Sequence, residues 1–201
     1  MTVELWFPLP VMIIDVEPAV RDATRAKVLA YLDSERGRRD VPPAPQESVQ
    51  TSYYNQQISV LEDARLAELK EAVLRAGNQF IEGMGIKPFP LAFERAWINV
   101  FPPGAQEAQH SHDGSLLSCS YYVEAPPNCG NLIFPDPVGA RRSHRGWSNT
   151  AGMTFFTQLE AAFAPQAGRM IMFESWAEHS VQCNKSDKVR ISLAFNLARA
   201  R

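Results

Sequence analysis

The chain has no excess charge of either sign. Its 20 Lys and Arg residues against 22 Asp and Glu leave a formal net charge of −2 over 201 residues. No basic field favours nucleic acid, and no polybasic run favours a membrane surface. Cysteine is scarce. Cys119, Cys129 and Cys183 are an odd set without Cys-x-x-Cys spacing. They argue against a disulfide framework and for a reducing, cytoplasmic setting in which thiols serve as small buried hydrophobes. The apolar N-terminal stretch Met1–Val16 contains Glu4, Pro8, Pro10 and Asp15. It has no positive start and no apolar run of about 18 residues, so it reads as neither a signal peptide nor a membrane span. Internal repeats and low-complexity tracts are also missing.

What is present suits one soluble domain spanning 1–201. The composition, 45% hydrophobic and 21% charged, is that of an ordinary globular protein, and fifteen prolines favour strands and loops over a helical bundle. Val11–Val16 reads as an opening strand. Pro18 suits a first helical turn, and Val20, Ala23, Lys27, Val28 and Tyr31 continue a helix toward Gly37. Pro42, Pro43 and Pro45 make Arg38–Ser48 an exposed loop, and Gln50–Tyr54 a short strand. Leu66, Leu69, Val73, Ala76 and Phe80 form one apolar stripe, predicting a helix over Leu61–Glu82 that stops at Gly83–Gly85. After Pro90 the period changes to two. Leu91–Phe101, Leu116–Val123, Leu132–Phe134, Arg169–Glu174 and Lys188–Leu197 read as strands. Helices first and strands second give an α+β class: supporting helices in 1–90 packed on one face of a β-sandwich or barrel in 91–197. The segment 135–164, with Arg141, Arg142, His144, Arg145 and Trp147, reads as a surface insertion near the barrel mouth.

Three of the four histidines carry the chemistry. His110 and His112 are two apart, so an extended backbone aims both imidazoles the same way. The bland alternative is a pair of solvated histidines before an Asp113-Gly114 turn. His179, alone, would be a hydrogen-bonded structural residue. Joined to His110 and His112 it completes a triad with one metal face left open, a layout suited to non-haem iron. On the last strand Val189, Ile191, Leu193, Phe195 and Leu197 form a wholly apolar face. Arg190, Ser192, Ala194 and Asn196 form the other, fit to line a polar pocket. A guanidinium there suits a carboxylate through its two-pronged donor fork. Asn99, on the strand Arg95–Phe101, falls on a comparable face. His144 reads as solvated.

Three segments resemble the 2-oxoglutarate- and Fe(II)-dependent dioxygenases. The first is Asn99-Val100-Phe101-Pro102-Pro103-Gly104 followed by His110-Ser111-His112. The second is Leu117–Val123 with Gly130–Pro137. The third is Gly168–Trp176 with His179 and Arg190-Ile191-Ser192-Leu193-Ala194-Phe195-Asn196. Together they are most similar to a family of 2-oxoglutarate oxygenases in bacteria and phages that carry His-x-His-Pro-x-Ser and a terminal Arg-Ile-Ser-x-x-Phe-Asn. The resemblance covers about Leu91 to Leu197. It implies a double-stranded β-helix, jelly-roll and cupin-like, with Fe(II) on His110 and His179. His112 falls where most relatives have an acidic ligand. Strand alternation favours His112 over Asp113 as the third ligand, with Asp113 the alternative if the loop kinks. The resemblance further implies 2-oxoglutarate held by Arg190 with Ser192, and Asn99 and Asn196 as candidates for its other oxygens. The implied reaction uses dioxygen, converts 2-oxoglutarate to succinate and hydroxylates a C–H bond of a small-molecule or peptide substrate. The charge balance argues against a nucleic-acid substrate, and a homodimer is left open. Two other readings stand beside this one: a 2-oxoglutarate-independent three-His dioxygenase of cupin type, and a non-catalytic β-sandwich binding protein.

Overall fold

The computed structural model describes residues 8–45, 47–54, 64–137 and 158–200. Its strands are β1 (Val11–Asp15), β2 (Gln50–Thr51), β3 (Leu91–Phe101), β4 (Glu107–His110), β5 (Leu117–Glu124), β6 (Leu132–Pro135), β7 (Glu160–Phe163), β8 (Arg169–Glu174), β9 (His179–Val181) and β10 (Arg190–Arg199). They form two sheets, a larger one ordered β1-β8-β5-β10-β3-β2 and a smaller one ordered β4-β9-β6-β7. The strand pairs are antiparallel. Helices α1 (Pro18–Asp33), α2 (Glu35–Asp40) and α3 (Ala67–Gly83, after a 3₁₀ turn at Ala64–Leu66) accompany them. This is the α+β class expected from the residues, in the double-stranded β-helix form that the resemblance implies.

Strand alternation divides the interior into two cores. On β10, Ile191, Leu193, Phe195 and Leu197 pack with Leu69, Val73, Phe80 and Ile81 of α3. Each such side chain, fully buried, contributes about 1.5–3 kcal/mol of hydrophobic stabilisation. Gly77 lets α3 lie close to the sheet, since a Cβ there would sit 2.7 Å from Leu91 Cδ1 and 3.0 Å from Leu197 Cδ1. Glycine costs a helix interior about 1 kcal/mol, so close packing is what offsets it here. The opposite strand faces build a second core of Phe101, Tyr122, Leu132, Phe134, Ile171, Phe173 and Val181. That core and a cavity lie on the side of the large sheet away from α3.

Four local readings change. The first helix ends at Asp33 rather than near Gly37, because Ser34 Oγ donates to the Tyr31 carbonyl (2.6 Å) and accepts from Gly37 N (3.0 Å). One side chain thus stops α1 and caps α2, and the expected loop after Arg38 begins as helix. Of Gln50–Tyr54, the pair Gln50–Thr51 is strand, and Tyr53 and Tyr54 lie in a turn. The third change concerns β4, β7 and β9, which are three or four residues long and too short to display an alternation. Finally, the ends of the expected insertion pair with each other, from Leu132↔Phe163 to Pro135↔Glu160, so its flanks are a strand hairpin. Arg141, Arg142, His144, Arg145 and Trp147 lie outside the described residues. Among those described, no helix is long and apolar enough to cross a membrane.

Candidate metal centre

His110 ends β4 and His179 begins β9, and the two are paired directly across the small sheet. His112 follows in the next loop, where its N–H donates to the Ser175 carbonyl at 2.9 Å. The ring centroids lie 4.3 Å (His110–His179), 5.0 Å (His110–His112) and 5.1 Å (His112–His179) apart. One ring nitrogen from each lies within 4.8 Å of the other two. The pattern expected from the sequence is therefore brought together in space. Asp113 stays out of this group and accepts a hydrogen bond from Ser111 Oγ at 3.1 Å.

The proton positions suit a cation. His110 Nδ1 is 2.8 Å from the Ala108 carbonyl, and His179 Nδ1 is 2.9 Å from the Ala177 carbonyl. A carbonyl only accepts, so each Nδ1 carries the hydrogen and each Nε2 keeps its lone pair. Burial pushes the His179 imidazole down to about 3, against the Ala177 hydrogen bond, with His110 and His112 adding to the depression. Burial likewise takes His112 down to about 4, helped by the charges of His110 and Arg95 and opposed by Asp113. Both rings are neutral at pH 7, the state in which imidazole binds metal. A set of neutral nitrogens with no thiolate fits iron among the divalent transition metals.

The triad lines a cavity of about 310 Å³ between the sheets. Asn99, Arg190, Ser192 and Asn196 line it too. Arg190 is the first residue of β10, opposite Phe101 of β3. It is 1% exposed, with its guanidinium carbon 4.8 Å from the Phe101 ring centre and 5.0 Å from that of Tyr122. Nη1 donates to the Gly130 carbonyl at 3.3 Å. Gly130 has φ +87°, and a Cβ there would fall 2.0 Å from the Gln182 carbonyl oxygen, so this junction requires glycine. Among the described residues no carboxylate pairs with Arg190, and its Nε has no hydrogen-bond partner. A buried guanidinium with a donor left unpartnered in a cavity wall is what an anionic oxygen would satisfy. The residues present therefore fit both a metal ion and a carboxylate-bearing cosubstrate.

The two asparagines are engaged locally. Asn99 fits with its NH₂ donated to Thr51 Oγ1 (2.7 Å) and its oxygen accepting from Trp97 Nε1 (3.1 Å). Asn196 Oδ1 accepts from Ser118 Oγ (3.0 Å), and Ser118 Oγ is 2.9 Å from Ser175 Oγ. That chain ends on the residue whose carbonyl holds the His112 backbone.

Several cavity residues went unread in the sequence. Ser118 and Ser120 share one strand face of β5 and line the cavity, so the parity argument used on the last strand would have found them. Glu107, an acidic residue lining the cavity, sits three before His110; burial raises its carboxyl and the His110 charge opposes this. Tyr53, Tyr54 and Trp97 form part of the wall. No single-sequence signal marks the two tyrosines, because their position depends on the turn after β2. The cysteines are free; Cys119 and Cys129 are buried and Cys183 is half-buried. Burial pushes the Cys119 thiol up to about 12, which removes it as a nucleophile.

Comparison with known proteins agrees with this geometry. Residues 95–196, about half the chain, match the model of a family described as "Putative 2OG-Fe(II) oxygenase". No curated protein sequence matches the chain. Among solved structures, the fold is similar to the non-heme alpha ketoglutarate dependent epimerase SnoN from nogalamycin biosynthesis, at 15% identity and TM-score 0.67. That match covers 96% of this chain and 79% of the epimerase. A Pseudomonas putida prolyl-4-hydroxylase is similar at 19% identity and TM-score 0.58, covering 96% and 94% of the two chains. EctD from S. alaskensis is similar at 15% identity and TM-score 0.65, covering 95% and 73%.

Proposed function

The chain belongs to the 2OG-Fe(II) oxygenases, and from that premise we propose that His110, His112 and His179 hold the Fe(II), that Arg190 and Ser192 anchor 2-oxoglutarate, and that the product is a hydroxylated small molecule or peptide side chain. The observation that carries this reading is the convergence of three imidazoles in the cavity that Arg190 also lines, its Nε without a hydrogen-bond partner.

When bound, Fe(II) and 2-oxoglutarate supply the activation of dioxygen, so that R–H, O₂ and 2-oxoglutarate become R–OH, succinate and CO₂. The protein's part is orientation and shielding. The Ala108 and Ala177 carbonyls fix two rings with Nε2 toward the ion. The bond from His112 N–H to the Ser175 carbonyl sets the third. Arg190 would receive the far carboxylate of the cosubstrate, with the Ser192 hydroxyl as a further donor. Asn99, two residues along β3 from Phe101 and bonded to Trp97, is the candidate for an oxygen at the keto-acid end, whereas Asn196, six residues along β10 from Arg190, stands too far off to share the same cosubstrate. Phe101, Phe173 and Leu132 line the cavity with apolar surface and limit water there.

The free thiols suit a cytoplasmic setting, which we infer as well. Because the donor set lacks a carboxylate, a three-His dioxygenase working without 2-oxoglutarate is the reading to test against. Oxygen uptake by the iron-loaded protein is the discriminating measurement. We expect uptake, and succinate formation, to require 2-oxoglutarate. Uptake that proceeds equally without it would favour the other reading.

A further inference from the structure

We propose that the primary substrate is a small carboxylate carried on an apolar, C–H-rich body, and that Arg95 at the cavity mouth receives its carboxylate. The inference rests on the triad being the iron site, and it assigns the substrate class of that site.

Arg95, Trp97, Asn99 and Phe101 share one face of β3, since alternate residues point the same way. The last three line the cavity, and Arg95 stands one step outward, across from Asn196 on β10. A row of rings leads in from this point. Tyr54 meets Tyr53 at 5.3 Å, Tyr53 meets Trp97 at 5.1 Å, and Trp97 meets His112 at 5.4 Å. Tyr54 is 84% exposed and Tyr53 36%, and neither belongs to either hydrophobic core. Trp97 is buried but is likewise absent from both cores. Tyr54 and Tyr53 present exposed aromatic surface that leads to the buried Trp97, and such surface beside a reactive centre is suited to a ligand.

The Arg95 guanidinium lies 5.7 Å from the Tyr53 ring centre, and its Nη1 donates to Tyr53 Oη at 3.0 Å. It is held in place but not neutralised. Among the described residues no carboxylate pairs with it. The adjacent Glu94 is on the other face of β3 and accepts from Ser115 Oγ. A single fork-shaped cation matches one carboxylate through paired hydrogen bonds, whereas a phosphate dianion calls for more positive charge than the described residues of this rim hold. The π faces of Tyr54, Tyr53 and Trp97 then suit a saturated hydrocarbon body running inward to His112. Arg190 opposes Phe101 while Arg95 opposes Asn196. Six residues of extended β10 separate these positions, about 20 Å. The cavity therefore has a cationic group at each end, and Trp97, which touches His112, lies between them along β3.

The test compares two probes of one shape, cyclohexanecarboxylate and cyclohexanecarboxamide. Calorimetry follows their binding to the metal-free protein and to protein loaded with Mn(II) and saturating 2-oxoglutarate. We expect the carboxylate to bind about ten-fold more tightly than the amide, as a charge-assisted pair would give. Arg95→Gln should bring the ratio to about one, Arg95→Lys should retain part of it, and the amide reports that each variant site is intact. Equal binding of the two probes by the unaltered protein, binding of neither, or a ratio that survives Arg95→Gln would overturn the proposal. A preference that holds in the metal-free protein while Mn(II) and 2-oxoglutarate fail to bind would leave this site standing and remove the proposed function.

Discussion

At the scale of single residues, one backbone acceptor fixes the tautomer of each of two histidines, His110 and His179. Ala108 and Ala177 each lie two residues before the imidazole they fix, so His110 and His179 arrive with the tautomer already chosen. Among the described residues no backbone carbonyl holds the His112 ring; its place comes from its own backbone and from contact with Trp97. The ligand choice between His112 and Asp113 is open to direct test. His112→Ala should weaken iron binding by at least about 100-fold, since losing a ligand costs more than the roughly 10–100-fold typical of losing an outer partner of one. Asp113→Ala, which removes an exposed partner of Ser111, should leave bound iron within about two-fold of its starting level, a change on the scale of an exposed charge pair. Iron analysis after gel filtration reads both, and retention in the first with loss in the second would assign the ligand to Asp113. Arg190 offers a second test. Removing one partner of a buried charged pair costs several kcal/mol, so Arg190→Ala should weaken 2-oxoglutarate binding by at least about 100-fold. Ser192→Ala should weaken it by about ten-fold or more, since a hydrogen bond to a charged group is worth about 1.5–3 kcal/mol. Unchanged 2-oxoglutarate affinity in Arg190→Ala would end that assignment.

At the scale of elements, what could be read was periodicity, and what could not was short pairing. The alternation Arg190–Asn196 fixed both faces of β10, because ten residues display the period clearly. The stripe Leu69, Val73, Ala76 and Phe80 likewise marked α3. The strands β4 and β9, which carry His110 and His179, were invisible as strands. They are too short to alternate, and their pairing depends on residues far apart in the chain. The edge strand β1 supplies a stability prediction. Asp15 and Arg169 face each other in register and share two hydrogen bonds, at 2.8 and 3.0 Å. The hydrogen bond from Arg169 lowers the Asp15 carboxyl from its ordinary value, against the opposing effect of burial. The folded form is depressed, so the pair's contribution is present above about pH 4 and is lost as the pH falls through the lowered value. The pair is largely exposed, which limits its worth to about 1 kcal/mol or less. Asp15→Asn should lower the melting temperature at pH 7 by no more than about 4 °C. The gap should narrow as the pH is taken below about 4. A gap that widens toward acid would contradict the sign.

At the scale of the whole molecule, the fold separates stability from chemistry. Helices and the apolar strand faces form one core outside the large sheet, while the polar faces of the same strands meet the small sheet around the cavity. The order of helices before strands was enough to give the α+β class, and the spacing of His110, His112, His179 and Arg190 was enough to give the candidate site. The cavity wall was not legible. Tyr53 and Tyr54 reach it from a turn, and Glu107 from a strand of four residues, so neither follows a repeating pattern. The central claim is that the three imidazoles bind one ferrous ion with the cosubstrate reaching to Arg190. Anomalous diffraction at the iron edge, from anaerobic crystals grown with Fe(II) and 2-oxoglutarate, addresses it most directly. The account predicts one strong peak about 2 Å from Nε2 of His110, His112 and His179, with a carboxylate against the Arg190 guanidinium. Iron found away from those rings, or no bound iron, would contradict it.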